Sequence, residues 1–206
     1  MNKSIYSLVL SDDVVAKADA LAYQMHTSRS NIINQILAEH LACTTPEMRM
    51  QSIFSGMESL MQQFRILEQT SAHMLALQSQ LNYKYKPTVQ YSVELFKNPD
   101  QNQAGKLRIS LRTQNTALLL SLDEFFHFWI SLEQRYLPVN AEYHLSPGRL
   151  ERSVSNTAEN ETQLGELLGA YIRRFDAYLK DWFAGKSVQE LENMFRQEIK
   201  TIQKSI

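Results

Sequence analysis

Ser4-Ile5-Tyr6-Ser7-Leu8-Val9-Leu10-Ser11-Asp12-Asp13, followed fourteen residues later by Thr27-Ser28-Arg29-Ser30-Asn31-Ile32-Ile33, decides how the N-terminal part of this chain reads. Ser4–Leu10 alternates, with Tyr6, Leu8 and Leu10 on one face and Ile5, Ser7 and Val9 on the other, the period of a strand. Ser11 then caps a helix whose first turn carries Asp12 and Asp13, placed favourably against the positive helix end. Val14, Ala18, Leu21, Ala22 and Met25 follow helical spacing. Ser28 caps a second helix with Ile32, Ile33, Ile36, Leu37 and Leu41 as its inner stripe. One strand and two helices of this size cannot close a core alone, and a lone strand leaves both edges unpaired. The pattern therefore implies a dimer.

This order of strand, helix, turn and helix resembles the ribbon-helix-helix family of DNA-binding dimers. The likeness covers residues 3–42, about a fifth of the chain, and rests on the Leu10–Ser11 step and on the Ser28-Arg29-Ser30 turn. It implies a homodimer whose two strands form a ribbon in the major groove of double-stranded DNA. By parity the base-facing positions are Lys3, Ile5, Ser7 and Val9, and the amides around Ser28, Arg29 and Ser30 are the phosphate contacts. Ile5 and Val9 offer only apolar contact, which suits thymine methyl groups. Residues 1–44 hold three cations against four anions, so the alternative is a protein-interaction scaffold whose N-terminal module only dimerises. A transcriptional repressor and a plasmid or mobile-element accessory protein fit the first reading equally.

Outward from this segment, Thr44-Thr45-Pro46 reads as a linker between a domain at 1–44 and a second at 45–206. Met50, Ile53, Met57, Leu60, Phe64, Leu67, Ser71, Met74, Gln78 and Leu81 recur at 3- and 4-residue steps, which predicts a long connecting helix over 47–82. That seam suits a dimeric coiled coil or a helix packed on its own domain. Alternation predicts strands at 88–96 and 106–112, joined as an antiparallel hairpin by the loop through Asn98-Pro99-Asp100. Thr116–Leu120 reads as a third strand, and Ser121-Leu122-Asp123-Glu124 as the capping box of a helix over 122–137. The region punctuated by Pro138, Pro147 and Gly148 carries no assignment. Apolar stripes predict helices over 158–184 and 188–203, forming a helical hairpin. The fold class expected is α+β, mainly helical.

Composition excludes several functions. Lys+Arg 21 against Asp+Glu 22 rules out a broadly basic nucleic-acid coat, and the single Cys43 rules out a disulfide scaffold. The apolar stretches Ala117–Leu120 and Phe125–Ile130 fall short of the roughly 18 residues a membrane span needs, and no apolar signal core precedes Asp12–Asp13. A cytoplasmic protein without a membrane partner is expected. No phosphate loop, serine elbow or Cys–His arrangement points to an enzyme. Glu124-x-x-His127 shares one helix face but has no second copy to complete a di-metal site, so neither metal nor cofactor is expected. Gly165 and Gly169 allow close helix packing. Arg173-Arg174, beside Asp176 and Asp181, reads as a solvated face. Residues 45–113 carry eight basic and five acidic side chains, so Lys84, Lys86, Lys106, Arg108 and Arg112 form a second candidate nucleic-acid surface. The remainder of the C-terminal domain is open to assembly beyond a dimer or to a protein partner.

Overall fold

The computed structural model describes residues 7–58, 62–67, 71, 73–100, 102–137 and 140–204, with no side-chain description from 200 onward. The chain divides into two units, one ending at Arg49 and the other starting at Met50. The division falls inside a helix, five residues beyond the end of the N-terminal domain expected from sequence.

The first unit carries α1 (Asp12–Gln24) and α2 (Arg29–His40), then the first turn of α3 (Pro46–Glu58). The Ser28 side chain accepts from the Asn31 amide at 3.2 Å, which makes it the N-cap that the sequence indicates. Both helices end in left-handed residues, His26 (φ 49°) and Ala42 (φ 52°). At each end the next amide reaches back five residues, Thr27 to the Ala22 carbonyl at 3.0 Å and Cys43 to the Ala38 carbonyl at 2.8 Å. Among the described residues, the core cluster of this unit is Ala18, Ala22 and Ile32, with Ile33 packed against it, and Ala38 is buried as well. Val14, Leu21, Met25, Ile36, Leu37 and Leu41, expected inside, remain 36–66% exposed. Ser7–Leu10 forms no strand; a ribbon strand takes its hydrogen bonds from a second chain, and a single chain supplies none. Ser4–Tyr6 of the expected strand lies outside the described residues.

The second unit is a six-stranded antiparallel sheet with helices on one face. The strands are β1 (Arg65–Ile66), β2 (Met74–Gln80), β3 (Thr88–Leu95), β4 (Gln103–Leu111), β5 (Tyr143–Ser146) and β6 (Arg149–Ser155), in the order β1-β2-β3-β4-β6-β5. After β4 the chain leaves through α4 (Thr116–Tyr136), enters β5 at the edge and hairpins back as β6 beside β4. α5 (Glu161–Phe183) and α6 (Val188–Lys204) follow. Registers Leu77↔Tyr91, Tyr91↔Ile109 and Ile109↔Leu150 put these four side chains on the inner face. They join Phe125, Phe126, Trp129, Phe175, Tyr178 and Phe195 from the helices in one core.

Several expectations are corrected here. The long helix over 47–82 stops at Glu58, and Met74–Gln80 is β2, so no coiled coil runs along it. Of its proposed seam, Met50, Ile53 and Met57 pack inside the second unit, which resolves that stretch in favour of a helix on its own domain; Leu60 lies outside the described residues. Gly56 and Gly165 explain the closeness of that packing: a Cβ on Gly56 would lie 2.8 Å from the Thr162 carbonyl oxygen, and one on Gly165 would collide with the Ile53 carbonyl oxygen. Thr116–Leu120 opens α4 rather than forming a strand, with Asn115 as N-cap accepting from the Leu118 amide at 3.2 Å. Ser121 is mid-helix, and its hydroxyl accepts from Trp182 Nε1 at 3.0 Å. The predicted hairpin and the two C-terminal helices fall close to β3, β4, α5 and α6. Among the described residues, no helix is long and apolar enough to cross a membrane.

Candidate nucleic-acid interface

In the first unit, the N-terminal segment and α2 border a cleft of about 790 Å³. Leu8, Leu10, Ile33 and Leu37 supply its apolar wall, and Arg29 and Ser30 its polar rim. Leu8 is 63% exposed and Val9 is fully exposed, while Leu10 is half-buried. Of the base-facing set, Ser7 and Val9 are on the surface, and Lys3 and Ile5 lie outside the described residues. Ser28, Arg29 and Ser30 are exposed at the start of α2, where first-turn amides have no partner within the helix.

Arg29 is not a free cation. Its Nε and Nη2 each reach an Asp19 carboxylate oxygen at 2.5 Å, a fork-on-fork pair from α2 to α1. The guanidinium holds the Asp19 carboxyl below the usual carboxylate range. Arg29 therefore braces the two helices, and any anion it meets competes with Asp19.

The second candidate surface divides into two groups. Lys106 and Arg108 lie on the face of the sheet away from the helices. There Arg108 Nε meets Glu151 at 2.9 Å, and Lys106 stands opposite Glu94 in the β3–β4 register. The Arg108 guanidinium lowers the Glu151 pKa. Lys84, Lys86 and Arg112 sit elsewhere, exposed at one end of the sheet, with no ion-pair partner among the described residues. The structure thus separates cations that sequence grouped together.

Sequence reading missed two buried polar clusters. Glu133, fully buried on α4, accepts from Tyr143 at 3.0 Å, Tyr171 at 3.1 Å and Arg152 Nε at 3.2 Å through Oε2. Its Oε1 lies 3.1 Å from Arg152 Nη2, close enough for ion pairing although misaligned for a hydrogen bond. The Arg152 guanidinium also covers the Tyr171 ring at 4.7 Å. Burial, then the Glu133 charge, pushes the Tyr143 hydroxyl up to about 12. The second cluster centres on Asp176, which accepts from Ser79, from Tyr91 at 2.8 Å and from Lys180 at 2.6 Å. Asp176 is therefore interior, not part of a solvated face with Arg173-Arg174; Arg174 instead meets Glu198 at 3.3 Å. Apart from Glu133 Oε1, which meets Arg152 only as an ion pair, the carboxylate oxygens of these clusters accept hydrogen bonds from the same chain. They tie helices to strands and offer no open position to a substrate.

His127 is exposed, with Nδ1 2.9 Å from the Asp123 carbonyl oxygen. No group of three or more potential metal ligands occurs among the described residues. Comparison with protein families, with curated proteins and with solved structures finds no match for this chain.

Proposed function

We propose that the chain is a homodimeric double-stranded DNA-binding protein that reads the major groove through a ribbon formed by residues 3–10 of two copies. As a transcriptional regulator or a mobile-element accessory protein, it uses the second unit for assembly or regulation. One observation carries the reading. Among the described residues, the first unit buries three alanines and one isoleucine, and leaves six apolar helix side chains, together with Leu8 and Val9, open to water. So many exposed apolar side chains on a unit too small to fold alone call for a second copy. The cleft beside Leu8 and Leu10 is where that copy would pack. The sequence resemblance then supplies DNA as the ligand of the dimer. The scaffold reading is favoured by the Arg29–Asp19 pair, which occupies the nearest cation.

The test compares the whole chain with its Leu8→Asp variant by sedimentation velocity and by anisotropy of a labelled random-sequence duplex. A charge at an apolar dimer core is costly, so dimer and duplex binding are expected to disappear together. A Leu8→Asp monomer that still binds duplex with wild-type affinity would overturn the ribbon; a wild-type dimer that binds no duplex at low salt would leave the scaffold.

A further inference from the structure

The second unit carries a cationic end of its own. The registers place Gln80 beside Thr88, Val89 beside Leu111, and Ser110 beside Arg149. The Leu111 amide donates to the Gly148 carbonyl at 3.0 Å. The β2–β3 turn, Arg112 at the exit of β4 and Arg149 at the entry of β6 therefore share one end of the sheet. Lys84, Lys86, Arg112 and Arg149 are exposed there. The first three have no ion-pair partner among the described residues. Among the described residues Arg149 pairs only with Glu151, at 3.9 Å, and Arg108 already holds that carboxylate at 2.9 Å.

The turn is anchored and yet strained. Tyr83 packs edge-on against Phe183 with ring centres 5.6 Å apart, and its carbonyl accepts from the Lys86 amide at 2.8 Å. The next residues project outward: Tyr85 is 89% exposed, and Lys84 Nζ lies 5.3 Å from its ring. Tyr85 and Lys86 both adopt left-handed backbone, at φ 65° and 43°. Glycine or asparagine adopts such angles at lower cost, so a tyrosine and a lysine here trade stability for what their side chains present.

We propose that this end of the sheet contacts the phosphate backbone of duplex DNA, adding sequence-independent contacts to those of the first unit. The proposal rests on the reading of the chain as a duplex-binding protein. Three adjacent strands span about 10 Å, the axis rise across about four consecutive phosphates on one DNA strand. Lysine is depleted in the cores of protein interfaces, and these four cations are all exposed, which disfavours an acidic protein. A single-strand platform stacks successive bases on several aromatics, whereas Tyr85 stands by itself.

The experiment measures binding of a labelled 30-base-pair random-sequence duplex to the full chain across a salt series, with about 0.9 of slope expected per phosphate contact. The Lys84→Gln/Lys86→Gln/Arg112→Gln variant is expected to lose about 2 to 3 from the slope and at least about tenfold in affinity near 0.1 M salt. Lys97→Gln, in the β3–β4 loop at the opposite end of the sheet, is expected to leave both unchanged. Tryptophan-monitored unfolding checks that each variant is folded. A second arm, Ser7→Glu/Val9→Glu, tests the ribbon separately. If the triple variant keeps wild-type slope and affinity while the ribbon variant loses binding, this surface is refuted and the ribbon stands. If the triple variant weakens as expected while the ribbon variant binds normally, this surface stands without the ribbon. Absence of duplex binding by the wild type refutes both, and tighter binding of a 30-nucleotide single strand or of polyglutamate refutes this surface.

Discussion

Replacing Arg152 by methionine removes the one cation among the described residues that pairs with Glu133, a carboxylate with no exposure to water. Arg152 itself keeps only 11% side-chain exposure, so water cannot take its place easily. Breaking a buried pair from one side costs about 3–5 kcal/mol. The loss of the guanidinium over the Tyr171 ring adds about 1 kcal/mol. The two tyrosine hydroxyls that donate to Glu133 remain, which places the expected cost in the lower half of that range. Glu133→Gln/Arg152→Met removes both charges while keeping a carbonyl for Tyr143 and Tyr171. Its cost is expected to fall short of the sum of the single variants by about 2–3 kcal/mol. Both tryptophans, Trp129 and Trp182, belong to the second unit, and Trp129 Nε1 donates to the Tyr171 hydroxyl at 2.9 Å. Urea unfolding followed by tryptophan fluorescence therefore reports on this unit alone. An Arg152→Met variant destabilised by less than about 1 kcal/mol, or additive costs in the double variant, would refute the account of Glu133 as a charge held by its partner.

Gly165→Ala should gain about 1 kcal/mol of helix propensity and lose more than that where its Cβ meets the Ile53 backbone, for a net cost of about 1–2 kcal/mol in the same urea assay; a stabilised variant would contradict the close α3–α5 packing. Ala42→Gly should relieve a left-handed cap and raise stability by about 0.5–1 kcal/mol, read as an upward shift in thermal melting by circular dichroism. Burial and the Glu133 charge raise the Tyr143 pKa to about 12, so its contribution to stability is fully present below the unfolded value near 10 and is lost as pH rises toward 12. Burial raises Tyr91 and Tyr171 in the same direction. Urea stability should then hold level from pH 7 to 9 and decline above about 10, with a shallower decline in Tyr143→Phe; an identical decline in that variant would remove Tyr143 from the account.

Elements whose buried positions follow one simple period were legible in the sequence. Val89, Tyr91, Val93 and Leu95 alternate cleanly and form β3, and the broad stripe from Leu164 to Phe183 forms α5. β2 was hidden because Met74 and Ala76 occupy its outer face, so apolar residues fill both parities and mimic a helical seam. β6 was hidden for the opposite reason: Arg152 shares the inner face with Leu150 and Val154, and a charge at an inward position breaks the expected alternation. The Pro147-Gly148 turn, with Gly148 at φ 69°, was the available signal for the β5–β6 hairpin. Ala117–Leu120 was too short an apolar run to separate strand from helix. Charges such as Glu133 and Asp176 look like solvent-facing residues until the tyrosines that donate to them are brought near by the fold. The placement of Lys106 opposite Glu94 and of Arg108 beside Glu151, which divides them from Lys84, Lys86 and Arg112, depends on strand register, which local composition does not encode.

The central claim is that two copies of the first unit read duplex DNA. Selection of fragments bound by the full chain from a pool of random duplexes tests it most directly. The account predicts enrichment of a two-fold symmetric site with thymine-containing half-sites, since Ile5 and Val9 can only pack against thymine methyl groups while Ser7 tolerates several bases. Recovery of no enriched sequence at low salt would contradict it.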